Sequence, residues 1–130
     1  MKTKTVMLVL CRRVIADLLV KAVSNRAGLD AFGLYDYNNA GTTALARKPN
    51  LALVEIPERY GTPALDTLDV CDEIKKASPE CKIVLLCPEQ DKESVNVCID
   101  VKKRGEIADF LFYDSSVEYL ASKLESLLPV

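Results

Sequence analysis

The sequence contains no histidine. This absence excludes the Ser-His-Asp and Cys-His catalytic centres, a histidine-ligated metal and a phosphohistidine relay. A glycine-rich phosphate loop is also missing where an α/β fold would place one, because Cys11, Arg12 and Arg13 follow the first apolar run. Much of the usual repertoire of enzymes is therefore excluded.

Cysteine is present, but never at the spacing of a metal or redox motif. The five cysteines are Cys11, Cys71, Cys81, Cys87 and Cys98, and no two of them form a CxxC pair. A zinc ribbon or a thioredoxin-like motif therefore has no support. The apolar surroundings of Cys11, Cys87 and Cys98 predict small core residues in a reducing cytosol.

Long apolar runs and an excess of one charge are lacking as well. The apolar run near the start covers only Val6–Cys11, which is too short for a signal-peptide core or a membrane span. The 17 basic and 19 acidic residues give a net charge of -2, so there is no general attraction to nucleic acid or to an anionic membrane. We expect a soluble, cytoplasmic protein.

Short apolar runs alternate with longer amphipathic stretches, the pattern of a parallel sheet covered by helices. The predicted strands are Thr5–Leu10, Ala31–Tyr37, Leu51–Ile56, Lys82–Cys87 and Ala108–Tyr113. The predicted helices are Arg13–Arg26 with Gly28 as its stop, Asn39–Arg47, Ala64–Ala77 with Leu65 inward, Asp91–Gly105, and a last helix capped by Ser115 or Ser116. A loop is predicted over Pro57–Pro63, and Phe110 and Phe112 are predicted to pack on opposite sides of the sheet.

Five β-α units in 130 residues predict one doubly wound α/β domain over residues 1–130. Both a short Rossmann-like and a flavodoxin-like strand order remain open.

Four segments match the motifs of one known family in order and spacing. Residues 48–57, KPNLALVEIP, parallel "PDLVLLDIMMP", and residues 105–113, GEIADFLFY, parallel "GADDYLVK". Residues 68–75 and 82–87 continue the match between them. The chain thus resembles a response-regulator receiver domain of the CheY type over nearly its whole length. The resemblance implies a flavodoxin-like, five-stranded parallel sheet of order 2-1-3-4-5 with five helices.

The resemblance also implies where a site would lie, and every signature position is replaced. Receiver domains hold magnesium with an acidic pair after the first strand, which falls here on Leu10-Cys11 or on Cys11-Arg12. The phosphoacceptor aspartate corresponds to Glu55, the hydroxyl residue after strand four to Cys87, and the lysine after strand five to Tyr113. We therefore expect no metal or other cofactor and no aspartyl phosphorylation.

Four residues of this region allow alternative interpretations. Glu55 is either a built-in mimic of the phosphorylated state or an acid merely tolerated at a strand end. Arg12 either pairs with Glu55 in place of the metal or lies in solvent. Cys11 and Cys87, placed at the ends of neighbouring strands, form either a thiol site or simple filling of space.

The leading hypothesis is a degenerate receiver domain, a pseudo-receiver, as the regulatory part of a bacterial two-component-type regulator. It would bind a protein partner or a second copy through the fourth helix, fifth strand and fifth helix, where Tyr113 fits an interface anchor. Direct binding to nucleic acid or membrane is not expected. The rival hypotheses are a small-molecule binder on a flavodoxin-like scaffold and a phosphoacceptor that uses another acid near a strand end, namely Asp36, Glu58, Glu89 or Asp114.

Overall fold

The chain folds into a parallel sheet with helices on both faces. The computed structural model describes residues 3–58 and 61–128, so the ends of the predicted domain (Met1, Lys2, Pro129 and Val130) and part of the predicted loop (Arg59 and Tyr60) lie outside the described residues. The strands are β1 (Lys4–Val9), β2 (Leu29–Leu34), β3 (Leu51–Glu55), β4 (Lys82–Cys87) and β5 (Asp109–Phe112). The helices are α1 (Arg13–Ser24), α2 (Ala40–Arg47), α3 (Pro63–Ala77), α4 (Lys92–Lys103) and α5 (Val117–Ser126).

The strand order is β2-β1-β3-β4-β5, and every neighbouring pair is parallel. This confirms the flavodoxin-like order and excludes the short Rossmann-like one. Strands β2 and β3 pair with opposite edges of β1. The point where the strand order reverses, which is where open α/β sheets bind ligands, therefore lies between the carboxyl ends of β1 and β3.

Two apolar cores, one on each face of the sheet, hold the layers together. Val6 and Leu8 face a core with α1 and α5, whereas Met7 and Val9 face a core with α2, α3 and α4. All four side chains are fully buried. A central parallel strand buries both faces, and this explains why the first apolar run has no polar alternation.

Local capping signals fix several helix ends. The Asp91 carboxylate accepts hydrogen bonds from the backbone N–H groups of Glu93 (3.2 Å) and Ser94 (3.3 Å) and begins α4 as predicted. Gly105 follows this helix with a φ of +74°, a left-handed conformation that favours glycine. Of the two residues proposed to cap the last helix, Ser116 does so, accepting from the N–H of Tyr119.

The predicted boundaries around β2 are wrong by one to three residues. The strand begins at Leu29, because Gly28 (φ +76°) turns the chain there, and it pairs with β1 from Lys4↔Leu29 to Val9↔Leu34. Helix α1 ends at Ser24, ahead of that turn. Residues 37–39 form a separate 3-10 turn, so that α2 begins at Ala40.

Two side-chain orientations also differ from the prediction. Phe110 and Phe112 pack against the same core, with ring centroids 5.8 Å apart, because residues two apart on a strand share a face. Leu65 is 51% exposed, since the buried face of α3 runs through Ala64 and Thr67 instead. In residues 3–58 and 61–128, no helix is long and apolar enough to cross a bilayer.

Candidate functional site

A fully buried acid occupies the carboxyl edge of the sheet beside the point of strand reversal. Glu55 is the last residue of β3 and has no exposed surface. Its Oε1 accepts hydrogen bonds from the backbone N–H groups of Cys11 (3.0 Å) and Arg12 (3.4 Å). Its Oε2 accepts a hydrogen bond from Arg12 Nε at 2.5 Å. Both carboxylate oxygens are therefore held by the segment that joins β1 to α1.

The Arg12 guanidinium lies between this carboxylate and an aromatic ring. Its central carbon, Cζ, is 4.1 Å from the ring centroid of Tyr113, which follows β5. The planar guanidinium can stack on an aromatic face while it donates to a carboxylate. Arg12 therefore links β1, β3 and the end of β5 through one cation.

Two tyrosine hydroxyl groups complete the arrangement at the end of β3. Tyr37 donates to the carbonyl oxygen of Glu55 at 2.6 Å, and Tyr113 donates to the carbonyl oxygen of Ile56. Burial, together with nearby negative charge that includes the Glu55 carboxylate, raises the pKa of both hydroxyls. Both tyrosines therefore keep their protons at neutral pH and remain donors.

The structure brings together three of the predicted site side chains, Arg12, Glu55 and Tyr113, with the main chain of Cys11. Leu10 and Cys87 lie elsewhere: Leu10 packs in the core with α1 and α5, and Cys87 packs in the opposite core. The tyrosine contributed by the β2–α2 connection, Tyr37, was not predicted. The signal that could have found it is its position just after a strand, where side chains reach the same edge.

The prediction that Cys11 is a core residue is wrong. Cys11 is exposed, because it lies beyond the last residue of β1 where the chain turns into α1. The strand before Cys11, β1, and the strand that ends at Cys87, β4, are also not neighbours, because β3 lies between them. Although Cys11 is exposed as a residue, its thiol is partly desolvated. This desolvation and the negative charge of Glu55 raise the pKa of the Cys11 thiol, which disfavours a reactive thiolate.

The other candidate acids have separate environments. Asp36 accepts from the N–H of Asn38 and caps the 3-10 turn, and Glu58 is exposed. The neighbouring Asp114 carboxyl group raises the pKa of Glu89.

A cleft of about 570 Å³ opens beside the site. It is lined by Cys11, Tyr37, Asn38, Pro57, Asp66, Thr67, Asp69 and Val70. Two of these described lining residues are acidic and none is basic. The described lining therefore supplies no side-chain cation to a phosphate group, which favours N–H donors and positive charge.

Comparison with known proteins places the fold. No protein-family model matches the sequence, and no curated protein matches it significantly. A response regulator from Thermotoga maritima superposes with a TM-score of 0.76 at 18% identity, over 96% of this chain and 97% of that one. An orphan response regulator of H. pylori gives 0.76 at 16% identity, over 97% of each chain. The chain therefore has the fold of response-regulator receiver domains.

A third similar structure is longer than this chain. NtrX from Brucella abortus, determined in complex with ADP, gives a TM-score of 0.75 at 25% identity. The match covers 97% of this chain but only 26% of the NtrX chain, so that this chain corresponds to about a quarter of that protein.

The residues at the site do not fit the magnesium ion that this fold family implies. A magnesium ion requires several oxygen ligands in octahedral geometry. Here both oxygens of Glu55 already accept hydrogen bonds, and the segment after β1 contributes a thiol and a guanidinium in place of carboxylates. A permanent cation of the protein itself neutralises the buried acid.

Proposed function

We propose that this chain is a degenerate receiver domain, a pseudo-receiver, that acts through protein–protein contact without aspartyl phosphorylation. The observation that carries the proposal is the Arg12–Glu55 pair, in which the protein's own guanidinium holds the acid at the phosphoacceptor-equivalent position. Such a domain would be the regulatory part of a bacterial two-component-type regulator and would work in the cytoplasm.

The chemistry of phosphoryl transfer supports this proposal. Transfer to a carboxylate requires a free oxygen to attack the phosphorus and cations to neutralise the developing charge. The two Glu55 oxygens are engaged by Arg12 and by backbone N–H groups. The residue at the position of the family's lysine, Tyr113, is a neutral donor that is hydrogen-bonded to Ile56.

The same contacts favour one interpretation of Glu55. A mimic of a phosphoryl group would present unneutralised negative charge to the loops that follow β4 and β5. The Glu55 carboxylate is instead neutralised by Arg12 and held from the β1–α1 segment. We therefore interpret Glu55 as the structural partner of Arg12 and not as a mimic of the phosphorylated state.

The proposed interaction face consists of α4, β5 and α5. Asp109 of β5 pairs with Lys102 of α4 (2.9 Å) and with Lys123 of α5 (3.6 Å), so that one carboxylate ties the three elements together. A groove of about 350 Å³ between them is lined partly by Phe110 and Tyr119. Tyr113, the predicted anchor, is engaged with Arg12, and the exposed aromatic residue on this face is Tyr119, at 53%. The occupant would be a partner protein or a second copy of the chain.

The test is treatment of the full chain with acetyl phosphate and Mg²⁺, and separately with beryllofluoride and Mg²⁺, followed by intact mass and by NMR of the Glu55 region. A phosphorylatable response regulator in the same tube controls for the reagents, and Glu55→Gln is the matched variant. We expect no covalent gain and no saturable shift at Glu55.

A phosphoryl gain present in the wild type and absent from Glu55→Gln would overturn the proposal. A gain that Glu55→Gln retains would support the rival phosphoacceptors, and peptide mapping would then decide among Asp36, Glu58, Glu89 and Asp114.

A further inference from the structure

A groove runs between helices α2 and α3 and opens at the carboxyl edge of the sheet. Its upper part is the cleft of about 570 Å³ beside Cys11, and its lower part is a second cleft of about 300 Å³. Both parts are lined by Tyr37, Asn38, Asp69 and Val70. The two clefts therefore form one continuous surface feature, which we name the α2–α3 groove.

Contacts within the chain hold the walls of the groove in place. The Tyr37 hydroxyl donates to the carbonyl oxygen of Glu55 at 2.6 Å, so that the upper wall is tied to the end of β3. At the lower end, a Cβ atom at Gly41 would lie only 3.3 Å from the Cβ of Glu73, so that glycine allows α2 to approach α3 there. A binding segment would not have to order these walls, and this reduces the entropic cost of binding.

The described lining of the groove carries acidic side chains and no basic one. The acidic residues of the lining are Asp66, Asp69 and Glu73. Asp69 and Glu73 are both exposed. Within residues 3–58 and 61–128, neither of these two acids forms an ion pair or a side-chain hydrogen bond. The groove therefore presents negative charge that the described part of the chain does not neutralise.

The two acids are placed where they repel each other. Asp69 and Glu73 are four residues apart on α3, and like charges at this spacing face the same side of a helix and destabilise it. The field at a helix N-terminus favours acids in the first turn, which accounts for Asp66 but not for Glu73 further along. Folding alone therefore does not explain this pair of charges, whereas a bound cation would relieve their repulsion.

The spacing of Asp69 and Glu73 selects one arrangement of positive charge. Four residues of an α-helix rise by about 6 Å. Side chains two residues apart on an extended chain lie on the same side and are separated by about 6.6 Å. Two basic side chains at alternate positions could therefore each face one acid, whereas two adjacent basic residues point to opposite sides and could present only one.

We propose that the α2–α3 groove binds an extended basic segment of a partner protein, with lysine or arginine at alternate positions. Charge complementarity with Asp69 and Glu73 identifies this occupant, and the ring of Tyr37 and the side chain of Val70 offer apolar surface to the aliphatic stems of the basic residues. None of the described lining residues belongs to α4, β5 or α5. The surface is thus separate from the proposed interaction face, and the inference does not rest on the proposed function.

Two peptides of equal composition test the spacing. GSRSRSG places arginine at alternate positions and GSSRRSG at adjacent ones, with the same net charge. NMR titration of the isotope-labelled full chain measures both the affinity and the location of binding. We expect GSRSRSG to bind at least about fivefold more tightly, as one additional ion pair predicts. We expect its resonance shifts on the residues of α2 and α3 that line the groove, and its release as salt rises from about 0.05 M to about 0.5 M.

Charge variants test the acids themselves. Asp69→Asn/Glu73→Gln should weaken binding of GSRSRSG about tenfold. The same variant should unfold at a higher urea concentration than the wild type, because the repulsion within α3 is removed. Asp30→Asn/Glu80→Gln is the matched control, since it removes two exposed acids elsewhere and should leave binding unchanged. Asn38→Arg places a cation in the wall of both parts of the groove and should prevent binding without altering α3.

Several outcomes would overturn the proposal. Equal affinity for the two peptides, or equal weakening by the variant of α3 and by the matched control, would show attraction by net charge alone. Resonance shifts confined to other elements would place the peptide elsewhere. Spermidine that binds more tightly than GSRSRSG and displaces it would assign the groove to a small polyamine. Self-association that Asp69→Asn/Glu73→Gln abolishes would assign it to a second copy of the chain. None of these readouts involves phosphorylation, so that they fail or succeed separately from the proposed function.

Discussion

At the scale of single residues, the site is organised by the cost of burying one carboxylate. An unpaired buried charge costs several kcal/mol, so that Glu55 requires compensating partners. Arg12 supplies the charge and two backbone N–H groups supply hydrogen bonds. The Arg12 side chain keeps 39% of its surface exposed, so that the cation gives up less hydration than the acid does. The pair therefore closes the edge of the sheet with a buried acid and a partly solvated cation.

Removal of the Arg12 charge tests this account. Arg12→Ala leaves Glu55 buried without its cation, and we expect a loss of about 2 kcal/mol in the free energy of unfolding, less than for a fully buried pair because water can enter from the side of Arg12. The measurement is urea denaturation followed by circular dichroism at neutral pH.

The matched control is the double variant Arg12→Ala/Glu55→Gln, in which neither charge is present. It is expected to recover a large part of the loss, because a neutral amide costs less to bury. The account fails if Arg12→Ala lies within about 0.5 kcal/mol of the wild type.

The buried tyrosines predict how stability changes at alkaline pH. A tyrosine in the unfolded chain ionises at about pH 10. The pKa values of Tyr37 and Tyr113 are raised in the folded chain, and burial is the largest cause. The folded state therefore holds these protons more tightly than the unfolded state does. The stability is fully present below about pH 10 and falls as the pH rises above it towards the raised folded values.

Urea denaturation between about pH 8 and about pH 11 measures this decline. Tyr37→Phe/Tyr113→Phe should flatten it, whereas Tyr119→Phe, at an exposed position, should leave it unchanged. An equal decline in all three proteins would contradict the assignment to the buried pair.

The residues of the site were only partly predictable from the sequence. Arg12 and Glu55 could be placed together because Arg12 follows β1 and Glu55 ends β3, and the carboxyl ends of these central strands meet at one edge. The core position predicted for Cys87 is confirmed, whereas that predicted for Cys11 is wrong. One residue beyond a strand end decides between solvent and core, and periodicity does not resolve that step. The role of Tyr37 depends on where an edge strand ends, which is set by its pairing with β1.

At the scale of elements, prediction succeeded where the signal is local. Asp91 and Ser116 begin their helices through hydrogen bonds to backbone N–H groups two or three residues away, and such signals are present in the sequence itself. The bounds of β2 depend instead on its register against β1 and on the turn at Gly28. A strand whose limits are set by a partner distant in sequence cannot be delimited by its own pattern.

The cap of α4 provides a test at this scale. Asp91→Ala removes the acceptor for two backbone N–H groups and for the Ser94 hydroxyl, and we expect a loss of about 1 kcal/mol in the free energy of unfolding. Asp91→Asn is the matched control, since asparagine caps a helix nearly as well as aspartate. This variant should lose only about 0.3 kcal/mol in the free energy of unfolding.

Hydrogen exchange gives the second readout for this prediction. Amide protons of α4 should exchange faster in Asp91→Ala than in the wild type, while those of the central strands β1 and β3 change little. Equal stability of Asp91→Ala and Asp91→Asn would show that the cap does not hold this helix.

At the scale of the whole molecule, the chain shares its fold with proteins whose sequences differ from it at most positions. The chain superposes on response regulators at 16% to 18% identity, and no family model matches it. The order and spacing of apolar runs survive at that distance because they maintain both cores, and this is why the sheet order could be predicted. An activity that depends on a few side chains at one edge is not maintained by the cores. Under the proposed function, in which Arg12 occupies that edge, the function would reside on the surface of the molecule.

The last prediction concerns that surface and the association of whole chains. Tyr119 is 53% exposed on the face formed by α4, β5 and α5, beside the Lys102–Asp109–Lys123 cluster. If a second copy binds there, sedimentation velocity should show association that increases with concentration, and Tyr119→Ala should weaken it at least about tenfold, since buried aromatic anchors contribute most to interfaces. The matched control is Leu45→Ala, a change at a 59% exposed residue of α2 on another part of the surface, which should leave the association unchanged. Equal weakening by both variants would place the contact elsewhere. A wild-type chain that stays monomeric at all concentrations would exclude a second copy and leave a different protein as the occupant of this face. The face would still have the composition of a binding surface, because an exposed aromatic residue forms an apolar centre and the paired charges around it form a polar rim.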